Sequence, residues 1–224
     1  MLPVLAQADQ LLRGRDLVAA GDDDGRAGTL YLAAMVALFG VFYGGVMGTF
    51  GGVQGQRGLQ LLYSGVKVPL LLLVTFGLSL PSFFVLNTLL GVRADFARAL
   101  RALIATQAVV TIVLAALAPF TALWYVSFAA YHPAVLFNAF IFGVASVSAQ
   151  GLLRRWYAPL IARNPRHRLL LRVWLIIYAF VGVQMAWVLR PFVGDPSQPT
   201  HFFREGAWGN AYVEVARMIV SVFR

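Results

Sequence analysis

The chain has 224 residues, of which 60% are hydrophobic and 12% charged, with a net charge of +9. An ordinary soluble domain is about half apolar and about a quarter charged, so this chain has too few charged groups to cover a water-facing surface and is a polytopic membrane protein. It has no cysteine, which excludes disulfides, thiolate metal sites and redox pairs, and its basic excess matches the positive side of a membrane protein rather than nucleic-acid binding.

Residues 1–28 are expected to form a cytoplasmic N-terminal segment. Asp9, Asp16 and Asp22 to Asp24 precede the first long apolar stretch, a pattern unlike a cleaved signal. Leu5, Leu11, Leu12 and Val18, with Arg13 and Arg15 between them, suit either a short surface helix interrupted at Gly14 or a partly ordered tail.

No Asp, Glu, Lys or Arg occurs in residues 27–56, 68–92, 102–153 or 173–189, windows of 30, 25, 52 and 17 residues. A spanning helix needs about 20. Residues 29–189 therefore predict a bundle of five spans, at 29–50, 68–90, 102–125, 133–153 and 169–189. The longest window holds two of them, with a break at 127–133 where Tyr131-His132-Pro133 supplies a turn and a helix start. The last span is short, so Arg172 and Arg190 are expected to snorkel to the two interfaces.

Five spans put the termini on opposite sides. Twelve basic residues fall in the N-terminal segment and the second and fourth loops, against six in the other loops and the C-terminal segment. The N-terminus is then expected in the cytoplasm, with the C-terminal segment, 190–224, outside a cytoplasmic (inner) membrane.

Gly40, Gly44, Gly48 and Gly52 recur every fourth residue and make a smooth face where a neighbouring helix backbone can approach. The neighbour is another span of this chain or another subunit. Pro81 and Pro119 are expected to kink their helices, but their depths do not match as a transporter's paired broken helices would. The apolar interior offers no acid or base for proton coupling. His132, His167 and His201 are read as loop or interface residues. Of the neutral polar groups inside, Asn87, Gln107, Asn138 and Gln184 either glue the bundle or line a polar path.

The fourth loop carries Arg154, Arg155, Arg163, Arg166, Arg168 and Arg172 beside Trp156 and Tyr157. This cluster suits anionic lipid on the cytoplasmic face, with the aromatic pair in the headgroup layer, or an acidic partner. Beyond the last span, Arg190-Pro191 suits a helix stop, and Phe202, Phe203 and Trp208 suit the interface. Asn210 is expected to cap a final amphipathic surface helix with Glu214, Arg217, Ser221 and Arg224 on its polar face.

There is no zinc-peptidase helix motif, phosphate loop, nucleophile elbow or acid pair within a span. No catalytic residue, cofactor or metal is expected. Two stretches, Val66-Lys67-Val68-Pro69-Leu70-Leu71 leading to Leu80-Pro81-Ser82-Phe83, and Val181-Gly182-Val183-Gln184-Met185-Ala186-Trp187-Val188-Leu189-Arg190-Pro191-Phe192-Val193-Gly194, resemble an uncharacterised family of small bacterial membrane proteins. That family is loosely similar to the Yip1 family in having five spans and a cytoplasmic N-terminus. The resemblance implies a non-enzymatic bundle. It implies no trafficking role, because the Asp-Leu-Tyr-Gly-Pro of Yip1 proteins is missing.

The sequence therefore predicts an all-α, five-span protein acting as a structural or accessory subunit among other membrane subunits. Its rivals are a channel or carrier for a neutral or anionic solute and, behind that, an enzyme acting on lipid.

Overall fold

The computed structural model describes residues 2–14, 25–55, 57–204 and 207–213. Its helices are α1 (Leu2–Leu12), α2 (Gly25–Gly48), α3 (Arg57–Leu89), α4 (Phe96–Ser127), α5 (Tyr131–Arg163) and α6 (Arg166–Leu189). Among the described residues there is no strand, and α2 to α6 are the five helices long and apolar enough to cross a membrane. Helices are what an apolar solvent demands, since each satisfies its own backbone polar groups.

The break between the third and fourth spans lies where the sequence put it: α4 ends at Ser127 and α5 begins at Tyr131. Pro133 sits in the first turn of α5, where its missing N–H costs nothing. α3 and α6 are longer than their charge-free windows, and α4 and α5 together outrun the one they share, whereas α2, with 24 residues, does not fill its window of 30. α3 and α5 each have 33 residues and α4 has 32, about 50 Å at 1.5 Å per residue against a hydrocarbon core of about 30 Å.

That length corrects two readings. Arg57 and Lys67, placed in the first loop by sequence, both belong to α3, and Lys67 is buried in the bundle. The fourth loop shrinks to the turn Asn164-Pro165: Arg154, Arg155 and Arg163 lie on α5, and Arg166, Arg168 and Arg172 on α6. A charged residue marks where a side chain must leave hydrocarbon, not where the backbone stops being helical. α3 and α4 continue through Pro81 and Pro119.

α4 is the centre, with 67% of its most apolar stretch buried, against 28% for α5 and 17% for α6. Small residues explain its position: Ala99, Ala102, Ala105 and Ala108 are all buried and let neighbours close in. α2 packs on α3 and α4, α5 packs on α4, and α6 packs on α3. α5 and α6, although joined by a two-residue turn, hardly touch. At the N-terminus α1 is a short helix, one of the two alternatives there, while Val18 lies outside the described residues. The helix lies on α4 with Ala8 and Leu11 buried, and Gly14 at φ +69° follows its end.

The glycine ridge faces α3 of the same chain. A Cβ on Gly48 would lie 2.6 Å from Leu61 Cα, one on Gly44 2.9 Å from Gly65 Cα, and one on Gly40 3.2 Å from Pro69 Cβ. The facing row 61, 65, 69 has the same spacing of four. Gly52 does not belong to the ridge: α2 stops at Gly48, and Gly52 sits in the following loop with open space around it.

Candidate functional site

The basic face holds the start of α2, the α3–α4 connection and the α5–α6 turn, and the far face holds the other connections. On the basic face Gly91, at φ +69°, follows the end of α3, and the turn Arg93–Asp95 leads into α4. Asp95 occupies the cap position of α4 without capping it. Its carboxylate instead accepts from Arg163 at 3.1 Å, faces Arg98 at 3.7 Å and meets His167 Nε2 at 3.3 Å. Arg166 donates to the Leu90 carbonyl at 3.0 Å. One carboxylate thus ties α5 and α6 to the α3–α4 connection.

His167, in the first turn of α6 at the basic end, is fully buried there against Asp95. Trp156 and Tyr157 are also buried, so their rings pack into the bundle instead of facing lipid. The periodicity of α5 turns them onto the same inward face as Leu152, Leu153 and Leu160, leaving Arg154, Arg155 and Arg163 exposed. Arg166, Arg168 and Arg172 are exposed on α6.

On the far face, three polar side chains on one side of α3 bond to the chain just after α6. Lys67 Nζ donates to the Pro191 carbonyl at 2.8 Å, and Gln60 Nε2 donates to the Phe192 carbonyl at 3.2 Å. Ser64 Oγ donates to that same Phe192 oxygen. The Phe202 ring lies 4.9 Å from Lys67 Nζ and packs edge-on against Tyr63. Arg190 lies over the Trp187 ring at 3.3 Å. Sequence reasoning missed this clamp, although the spacing 60, 64, 67 is a helical face. Lys67 was legible only as an interfacial charge.

A cleft of about 480 Å³ opens beside the clamp, with Asp195, His201 and Arg204 among its lining residues. Its charged groups serve its own loop. Asp195 accepts from the Ser197 backbone N–H and Oγ, which holds its carboxyl below the usual range. Arg204 donates to Gln198 Oε1. Asn210 caps the backbone N–H of Tyr212 and Val213 as expected. The polar face proposed at Glu214, Arg217, Ser221 and Arg224 lies outside the described residues. Phe203 and Trp208 are exposed.

The four candidate path residues are not brought together. Asn87, two residues from the end of α3, donates to the Phe83 carbonyl. Asn138 accepts from Tyr43 at 3.0 Å and donates to Tyr125 Oη and the Ala134 carbonyl, both at 2.7 Å, linking α2, α4 and α5. Gln184 holds the Gly209 carbonyl and the Ala211 N–H, each at 3.0 Å. Gln107 lines a cavity inside the bundle.

That cavity is a groove of about 330 Å³ between α5 and α6, floored by α3 and α4. Its lips, Ser146 on α5 and Ala179 and Val183 on α6, are exposed, so it opens sideways. Leu72, Leu103, Phe142 and Trp174 make most of the wall apolar, and none of its lining residues is charged. Gln107 Oε1 accepts from Tyr178 Oη at 2.7 Å, while its Nε2 makes no hydrogen bond among the described residues. Thr75 lines the groove too, and its Oγ1 has no partner there. Ser79, Thr106 and Ser148 by contrast donate to the carbonyl four residues back on their own helices.

Among the described residues no three His, Asp or Glu side chains converge as metal ligands would. No family model, curated protein or solved structure matches the chain.

Proposed function

We propose that the protein is a non-enzymatic accessory subunit of a membrane assembly that turns α5 and α6 toward its partner. The observation that carries this reading is the one-sidedness of the bundle. α5 and α6 are the least buried of the five spans, and α5 leaves Gly143 and Gly151 exposed, with nothing within 4 Å of where a Cβ would stand, an openness that α2 and α3 show at the single positions Gly28 and Gly77. Eight residues apart, Gly143 and Gly151 share a face within about 80°. Without a hydrophobic force between helices in lipid, close backbone approach over small residues is a main source of association.

Orientation in this reading follows the arginines. The exposed cluster from Arg154 to Arg172 marks the cytoplasmic face, where each basic residue near anionic lipid contributes about 1 kcal/mol. Purification in mild detergent tests the assignment. The native chain should bring stoichiometric membrane companions, and Gly143→Leu with Gly151→Leu should shed them while the bundle itself melts unchanged. Companions retained at the same ratio in the double variant, or none with the native chain, would refute it.

A further inference from the structure

The groove between α5 and α6 has a chemistry that the subunit reading does not use. Gln107 stands six residues past Arg101 and Tyr178 six past Arg172, the last basic residues before the charge-free stretches, so both lie about 9 Å beyond them at 1.5 Å per residue. In a core of about 30 Å that is nearly a third of the way across. Lipid headgroups do not reach this depth, and acyl chains have nothing to accept a hydrogen bond. Yet the groove holds two hydrogen-bond donors without acceptors, the Gln107 amide N–H and the Thr75 hydroxyl.

An unbonded donor in hydrocarbon is costly. The Thr75 hydroxyl is the more telling of the two, because a helical threonine ordinarily returns its proton to its own backbone, as Thr106 does here. Gln107 is fixed in orientation: its carbonyl oxygen is held by Tyr178, so its amide hydrogens face away from that bond. Trp174, Tyr178 and Phe142 give the cavity flat aromatic walls, and Gly182 approaches Thr75 closely enough that a Cβ there would meet Thr75 Cγ2 at 3.5 Å.

We infer that this groove is a binding site for a neutral, lipid-soluble carbonyl compound that enters sideways from the bilayer. The carbonyl oxygen accepts from Gln107, and from Thr75 once that hydroxyl, shielded in the structure, turns into the groove; the ring or chain beside it packs on Trp174 and Phe142, and the remainder lies between α5 and α6. The absence of charge among the lining residues excludes an ionised ligand, and the volume suits a single ring or a short chain segment. The walls of the site all come from one chain; its mouth lies on the α5–α6 face that the subunit reading gives to a partner, so the site is tested on the purified chain alone.

The test uses the purified full chain in phosphatidylcholine vesicles with decyl-benzoquinone as the neutral carbonyl probe. A photoreactive diazirine derivative of the probe is cross-linked and its attachment mapped by peptide mass spectrometry. Labelling is expected on the stretches 103–110, 142–150 and 174–186, and unlabelled probe should compete while decane should not. Thr75→Val and Gln107→Leu should each weaken competition about five- to tenfold, the worth of one hydrogen bond.

A second readout separates binding from folding. Thr75→Val removes a buried hydroxyl that has no partner, so the lipid-stripped, probe-free variant should melt at or above the native temperature. Lower affinity with unreduced stability is the result expected. Labelling spread evenly over the lipid-facing helices, equal competition by decane, or a Thr75→Val variant that binds as the native chain does would overturn the site. So would loss of stability in that variant, because the hydroxyl would then already have a structural partner.

Discussion

The α2–α3 contact allows a calculation in which two opposing effects differ in sign. Replacing a helical glycine by alanine gains up to about 1 kcal/mol from backbone entropy where nothing is in the way. At Gly48 something is: the new Cβ would stand 2.6 Å from Leu61 Cα and 2.8 Å from the Gln60 carbonyl oxygen. Both neighbours are backbone and cannot swing aside, and ordinary carbon contacts begin near 3.5 Å. α2 must therefore retreat from α3 by about 1 Å, and a gap of that size forfeits a quarter to a half of each dispersion contact along the seam. Overpacking of this kind costs about 1–3 kcal/mol, which exceeds the helix-propensity gain. Gly48→Ala and Gly44→Ala should lower the midpoint of thermal or SDS unfolding in detergent. The double variant should cost less than the sum, because one retreat relieves both clashes. Gly143→Ala and Gly77→Ala, in open space on α5 and α3, should be neutral or stabilising. Equal behaviour at ridge and open positions would show that the seam is looser than its geometry implies.

Four further outcomes are expected. Lys67→Met leaves the Pro191 carbonyl without its charged donor, so hydrogen exchange over 191–204 should quicken by the loss of about 1.5–3 kcal/mol, with the core amides of α4 unchanged. Asp195→Asn should loosen the turn at Ser197; since the folded carboxyl is held below its usual range, the ionised turn is favoured above the unfolded pKa, and Ser197 amide protection should fade as pH falls through the folded one. Asp95→Asn should destabilise the α5–α6 turn by about 1 kcal/mol, a small effect because Arg98 and Arg163 are largely exposed, readable as faster proteolysis at Asn164-Pro165. In the cysteine-free native chain, Gln198→Cys should react with an impermeant thiol reagent added outside intact cells and Asn164→Cys should not; labelling at position 164 would reverse the proposed orientation.

The spans were legible because the cost of a charge in hydrocarbon is large enough to leave windows empty of them. The same signal misplaced the helix ends. Lys67 closes a charge-free window, yet it lies ten residues inside α3 and is buried, because its ammonium finds a backbone carbonyl instead of water. Trp156 and Tyr157 were read as interfacial from their chemistry alone, whereas the 3.6-residue period of α5 aligns them with inward-facing leucines. The glycine spacing identified a packing face correctly but not its partner. The answer lay in the second row, Leu61, Gly65 and Pro69, whose single glycine is too weak a signal to read without the fold.

The groove between α5 and α6 had no signature in the sequence beyond Gln107, and the reason is topological. A pair of helices joined by two residues is ordinarily expected to pack along its length. Here α6 follows α3 and α5 follows α4, so the two are drawn toward different neighbours and part beyond their turn. The Asp95 cluster gathers them only at the basic end. Gln107 and Thr75 acquire meaning from that divergence. Had α5 packed against α6, Ser146 or Gln150 on α5 would have stood ready to accept from them, and the interior would have closed as glue. With the helices apart, the donors face an open space between them. Anything that shortens the gap, such as a disulfide engineered between positions 146 and 179, should therefore abolish probe binding while raising stability. The opposite pairing, tighter closure with binding retained, would show that the ligand enters somewhere other than between these two helices.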